Sequence, residues 1–138
     1  MKIIISLIMT LTTLSSLTAQ TDRLSVEQTI HQFMKATADN DVHSMHYLLH
    51  EKFQGVTSPD REELASKSDY MRMLWGRKFT REEKSIEILY LDLGLNTASG
   101  KLKISSKKET FRAYYHFVKG SNGFWQILHI IPYHLEKA

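Results

Sequence analysis

Residues 109–133 read ETFRAYYHFVKGSNGFWQILHIIPY. Two strand-like runs flank Gly120-Ser121-Asn122-Gly123, and Asn122-Gly123 is a strong hairpin signal because both residues tolerate positive φ. In the first run Phe111, Ala113, Tyr115 and Phe117 share one parity, while Thr110, Arg112, Tyr114, His116 and Val118 share the other. Successive side chains of a strand point to opposite faces, so the first set is the better core face. The second run, Phe124 to Tyr133, has no clean polar side: Trp125, Ile127, His129 and Ile131 alternate with Phe124, Gln126, Leu128 and Ile130. A strand without a wet face is central, or its sheet is covered on both sides. The second cover can be another subunit, so a homodimer through the sheet is an expectation. Pro132 has no N–H and is expected to limit pairing near the chain end.

Working outward, two more strands precede the hairpin. Ser85 to Leu93 is rich in Ile, Leu and Tyr, Gly94 to Thr97 turns the chain, and Ala98 to Ser106 sets Leu102 and Ile104 against Lys101 and Lys103. The first half has a different period. Val26, Ile30, Phe33 and Thr37 predict a helix over 21–40, with Ser25 and Gln28 as its capping box. Asp39-Asn40-Asp41 interrupts, and a short helix follows over Val42–Leu49. Phe53 to Val56 reads as a short strand, and Ser58-Pro59 as the start of a helical turn reaching Ala65. A third helix runs from Asp69 to Trp75 and is stopped by Gly76. Three helices followed by long antiparallel strands make an α+β domain.

The chain has 138 residues, the size of one domain. Lys2, then an apolar Ile3–Leu17 mixed with Ser and Thr, then Leu17-Thr18-Ala19, follows the order of a secretory signal peptide. The apolar run is short of the ~20 residues that span a bilayer. Residues 1–19 are therefore read as a signal peptide, 20–138 as the single domain, and the product as periplasmic or secreted. Removing 1–19 takes away only Lys2, so the formal charge falls from +3 to +2, too little to argue for nucleic acid. No later run is long enough for a membrane span. The sequence holds no cysteine, so the exported fold relies on its core instead of disulfides.

The order of these elements resembles the nuclear transport factor 2-like (NTF2-like) superfamily, also called cystatin-like or SnoaL-like, and within it small exported bacterial proteins labelled lumazine-binding. The residues that carry the likeness are Phe33 through Asn40-Asp41, Met45, Leu48-Leu49 and Phe53; Ser68-Asp69-Tyr70; Asn96-Thr97-Ala98; and Phe117-Val118-Lys119 with Asn122-Gly123 and Phe124-Trp125-Gln126-Ile127. The resemblance implies three helices packed on a strongly curved, mostly antiparallel sheet that forms a cone around an apolar cavity. Relatives bind small molecules, isomerise steroids, or dehydrate or cyclise substrates, and the fold does not choose among these. The steroid-isomerase pattern is broken here. Phe33 stands where those enzymes carry a tyrosine and Thr57 near the place of their general base. Glu109 is the only acid between residues 93 and 135.

With that general base missing, the expected function is binding of a small apolar or aromatic molecule in the cavity, with Phe33, Tyr70, Trp75, Tyr115 and His129 as ligand contacts. The alternatives are a dehydratase-, isomerase- or cyclase-like enzyme using His129 with a Tyr partner, and a non-catalytic dimeric interaction protein. By parity His129 shares a face with Trp125 and Ile127, beside Tyr115. There it is a general acid or base, a ligand contact, or a satisfied core residue. His43, His46 and His50 share one helical side and are weak metal candidates. No phosphate loop, serine elbow, cysteine nucleophile or zinc motif occurs, and nothing calls for a cofactor.

Overall fold

The computed structural model describes residues 2–56, 63–76 and 84–137, with side chains from Leu17 onward apart from Trp75 and Gly76. Helix α1 (Lys2–Ala38) is one rod that takes in both the apolar leader and the expected 21–40 helix. No Gly or Pro interrupts it. The expected capping box at Ser25 does not form, because Ser25 is interior and its hydroxyl donates back to the Thr21 carbonyl (3.0 Å). Val26, Thr29, Ile30, Phe33, Ala36 and Thr37 form the buried stripe, the three-and-four spacing of an amphipathic helix. Asn40, at φ 53°, closes the helix. The Asp41 N–H donates to the Ala36 carbonyl (2.8 Å) and the Asn40 N–H to that of Thr37 (3.3 Å), a Schellman termination.

Asp41 then caps α2 (Val42–Leu48), accepting from the Ser44 N–H at 3.1 Å. Strand β1 (Leu49–Gly55) follows without a loop. Lys67 closes the far end of α2, its Nζ donating to the His46 and Leu49 carbonyls at 2.7 and 2.9 Å. Desolvation holds the Lys67 ammonium below its ordinary pKa, with Glu51 opposing that shift. The turn expected at Ser58-Pro59 lies outside the described residues. Ala65 belongs instead to the two-residue strand β2 (Ala65–Ser66), and α3 runs Lys67–Gly76.

Strands β3 (Ser85–Leu93), β4 (Thr97–Ser105), β5 (Glu109–Lys119) and β6 (Trp125–Lys137) form an antiparallel meander. Pro132 does not stop β6, which pairs with β5 out to Lys137 opposite Glu109. Pairing with β1 ends at Ile130, so Pro132 falls where β6 has an open side and a missing donor costs little.

The expected cone does not form. The six strands lie in the order β2-β1-β6-β5-β4-β3 in an open sheet that is neither strongly curved nor closed. The sheet is also mixed, because β1 runs parallel to β6. The three helices do pack on it as expected. Alternation along single strands fixes their faces but leaves open how the strands are arranged and how far the sheet bends. The helix-facing side is filled by Phe53, Leu102, Ile104, Tyr115, Phe117, Trp125 and Ile127, all at most 3% exposed. Phe53 meets Tyr70 edge to face with ring centroids 4.9 Å apart.

A β-bulge decides which way His129 points. His116 pairs with His129, but the next residue, Phe117, pairs with Ile127. Leu128 is therefore the extra residue, and it reverses the alternation of the strand. Trp125, Ile127 and Ile130 face the core, whereas His129 turns to the outer face with His116. The expected placement of His129 beside Trp125, Ile127 and Tyr115 is corrected accordingly.

Candidate functional site

The Schellman turn and the Asp41 cap set the end of α1 and the start of α2 at a corner. Met45 and Leu48 are buried, which leaves Tyr47 outward on the other side of α2 and 55% exposed. Phe124, immediately after the β5–β6 turn, meets the Tyr47 ring with centroids 4.8 Å apart. The Gln126 amide donates to the Tyr47 carbonyl at 2.9 Å and fixes α2 to β6.

The result is a cleft of about 620 Å³ between α1, α2 and the β5–β6 turn. Its base is Ala36 and Leu48, its aromatic wall is Tyr47 and Phe124, and its rim carries Gln32, Lys35, Asp39 and His43. Asp41 also lines it, but its carboxylate is occupied by Ser44, whose Oγ donates at 2.6 Å. Those Ser44 hydrogen bonds hold the Asp41 pKa below the usual carboxylate value. Apolar base, ring wall and mixed polar rim suit an aromatic molecule with polar edges. The residues of this cleft were not legible as a site. The signal was the Asp39-Asn40-Asp41 break, which marks a helix corner, but the chain position of Phe124 says nothing about its meeting Tyr47.

The sequence-derived contacts fall elsewhere. Phe33, Tyr70 and Tyr115 lie together in the buried core. Tyr115 is stacked on Phe117 with centroids 6.1 Å apart. Burial, and then the neighbouring Tyr70, push the Tyr115 phenol far above its ordinary pKa, so it stays protonated and offers no base. Trp75 ends α3, and its side chain lies outside the described residues, as does Thr57. Glu109 is exposed at the start of β5.

His129 sits on the outer sheet face, its Nδ1 3.2 Å from that of His116. Desolvation first and His116 second hold it below the ordinary histidine pKa, so it is neutral at pH 7. His43, His46 and His50 do not gather. Helix α2 stops at Leu48, and His50 falls in β1 with its Nδ1 accepting from the Lys52 N–H at 3.1 Å. No group of three metal-ligating side chains forms among the described residues. No helix among them is long and apolar enough to cross a membrane.

No family model and no curated protein matches the sequence. Solved structures do. An NTF-2 like protein of unknown function from Silicibacter pomeroyi superposes with a TM-score of 0.72 at 10% identity, over 87% of this chain and 98% of that one. An NTF2-like protein of unknown function from Shewanella baltica gives 0.71 at 13%, over 86% and 96%. An NTF2-like protein from Cytophaga hutchinsonii gives 0.68 at 18%, over 80% and 95%. Identities this low speak for the fold and do not reach the lumazine-binding branch. The chain has the fold of the NTF2-like superfamily.

Proposed function

We propose that this is an exported small-molecule-binding protein whose ligand lies in the cleft between α1, α2 and the β5–β6 turn. The observation that carries the reading is the Tyr47–Phe124 ring pair over the apolar base of Ala36 and Leu48, within a cleft of about 620 Å³. That volume is within the ~300–1,000 Å³ of small-molecule pockets. Chemistry is disfavoured because the three described groups best placed to carry it are not set up as an acid–base pair. Asp41 is committed to its cap, Tyr115 is held protonated, and His129 faces away from both the core and the cleft.

The first compounds to test are heteroaromatics of the lumazine type, because they combine a flat ring with polar edges. The full chain, purified from cells, is examined by native mass spectrometry for a retained molecule and then titrated with such a compound. Tyr47→Ala and Phe124→Ala should each weaken binding at least tenfold. Unchanged affinity in both removes the cleft as the site.

Export is supported by the order of residues 1–19. Residues 17–21 around the end of that stretch are exposed, and Asp22, whose carboxylate accepts from Lys119 Nζ at 3.0 Å, ties the helix beyond it to the sheet. N-terminal sequencing of protein recovered outside the cytoplasm should begin at Gln20, and an intact Met1 there would sink the reading. A second reading, a homodimer through the outer sheet face, is favoured by Tyr90, Tyr114 and Tyr133, which are 51%, 37% and 39% exposed. Light scattering that returns the mass of one subunit at high concentration would remove it.

A further inference from the structure

The outer face of the sheet carries a polar row that no single strand reveals. Asp92 of β3 pairs with Ser99 of β4, Ser99 with His116 of β5, and His116 with His129 of β6. All four line one open depression of about 400 Å³, and neither lysine nor arginine lines it. On its β5–β6 side the two imidazoles are nearly perpendicular, 86° apart, with Nδ1 facing Nδ1 at 3.2 Å.

We propose that His116 and His129 chelate a divalent first-row transition ion through their Nδ1 atoms. Two imidazole nitrogens bound to one tetrahedral ion at 2.0–2.1 Å stand about 3.3 Å apart. The pair is therefore spaced for an ion with almost no movement of either strand. Without metal, one Nδ1–H donates to the other Nδ1. Chelation requires only that the donating ring carry its proton on Nε2.

Imidazole ligands select Cu²⁺, Ni²⁺ and Zn²⁺ over Mg²⁺ and Ca²⁺, with Cu²⁺ tightest. The protein supplies two nitrogen donors, and water fills the remaining positions. Asp92, two strands from His116, adds negative charge to the same depression without being a direct ligand. The site is distinct from the cleft of Tyr47 and Phe124, so failure of either reading leaves the other standing.

The test titrates the full chain with Zn²⁺, Ni²⁺ and Cu²⁺ by calorimetry and follows the imidazole nitrogens by ¹⁵N NMR with Zn²⁺. The Nδ1 resonances of His116 and His129 should shift together at one equivalent. His116→Gln and His129→Gln should each lower affinity at least tenfold, with circular dichroism confirming the fold. The triple variant His43→Gln, His46→Gln, His50→Gln should bind as the parent does. Unmoved Nδ1 signals at saturating Zn²⁺, or parental affinity in both single variants, overturns the proposal. The NMR result decides it even if a glutamine variant fails to fold.

Discussion

Gly55 ends β1 beneath two aromatic rings. A Cβ there would lie 2.7 Å from Cζ of Phe53 and 3.0 Å from Cε2 of Tyr70. Both rings are buried and held against each other, so neither swings aside cheaply. Gly55→Ala should lower stability by about 1–3 kcal/mol, the usual range for overpacking, read as a drop in urea midpoint at unchanged slope. Asp41 gives a pH signature. Its folded-state pKa lies below the unfolded value because the Ser44 hydroxyl and N–H bind the carboxylate. The stabilisation is therefore full above the unfolded value near 3.8 and is lost as pH falls through the lower folded one. Thermal melts between neutral pH and about pH 2 should show this loss, and Asp41→Asn should flatten that part of the curve. An equally steep curve in the variant would assign the acid dependence to other carboxylates.

Among the elements, β6 does most to shape the molecule. Its bulge at Leu128 lets one strand place Trp125, Ile127 and Ile130 inward and His129 and Ile131 outward. Strict alternation would have buried His129 and exposed Ile130. Deleting Leu128 removes the bulge and sets His129 directly after Ile127, so His129 keeps the outer face, Ile130 keeps the core, and both keep their partners on β5. No core side chain is lost and no imidazole is buried. The expected change in stability is about 1 kcal/mol, and the variant should keep a cooperative thermal melt. Loss of cooperative unfolding would mean that the extra residue is itself needed to hold the register. The deletion is informative because this register is the least legible part of the sequence. The run Phe124–Tyr133 is apolar on both parities, so no count of alternating positions locates the extra residue.

At the scale of the whole molecule, the helical layer is tied to the sheet through polar bonds of α1. Asp22 accepts from Lys119 at 3.0 Å and from Trp125 Nε1 at 3.4 Å, and Thr29 donates to the Trp125 carbonyl at 3.4 Å. These bonds join α1 to β5 and β6 across most of the chain length. Asp22→Ala removes the acceptor for two donors that are largely shielded from water, at an expected cost of about 1.5 kcal/mol, seen as a lower melting temperature with the fold retained. An unchanged melting temperature would show that the apolar stripe alone holds α1.

The sequence by itself determined the element types and most of their bounds. A period of three to four set the helices, a period of two set β3, β4 and β5, and Asn122-Gly123 set the closing hairpin, because these depend on neighbours within a few residues. Through the same order it pointed to the NTF2-like fold. Only the tertiary structure decided that β1 lies parallel to β6, that the sheet is open and mixed instead of a cone, and that Tyr47 meets Phe124. It also decided that the bulge at Leu128 turns His129 to His116. Each of these is a pairing between segments far apart in the chain. Their register is settled by which apolar sets fill the core together, and that competition leaves no local mark in the sequence.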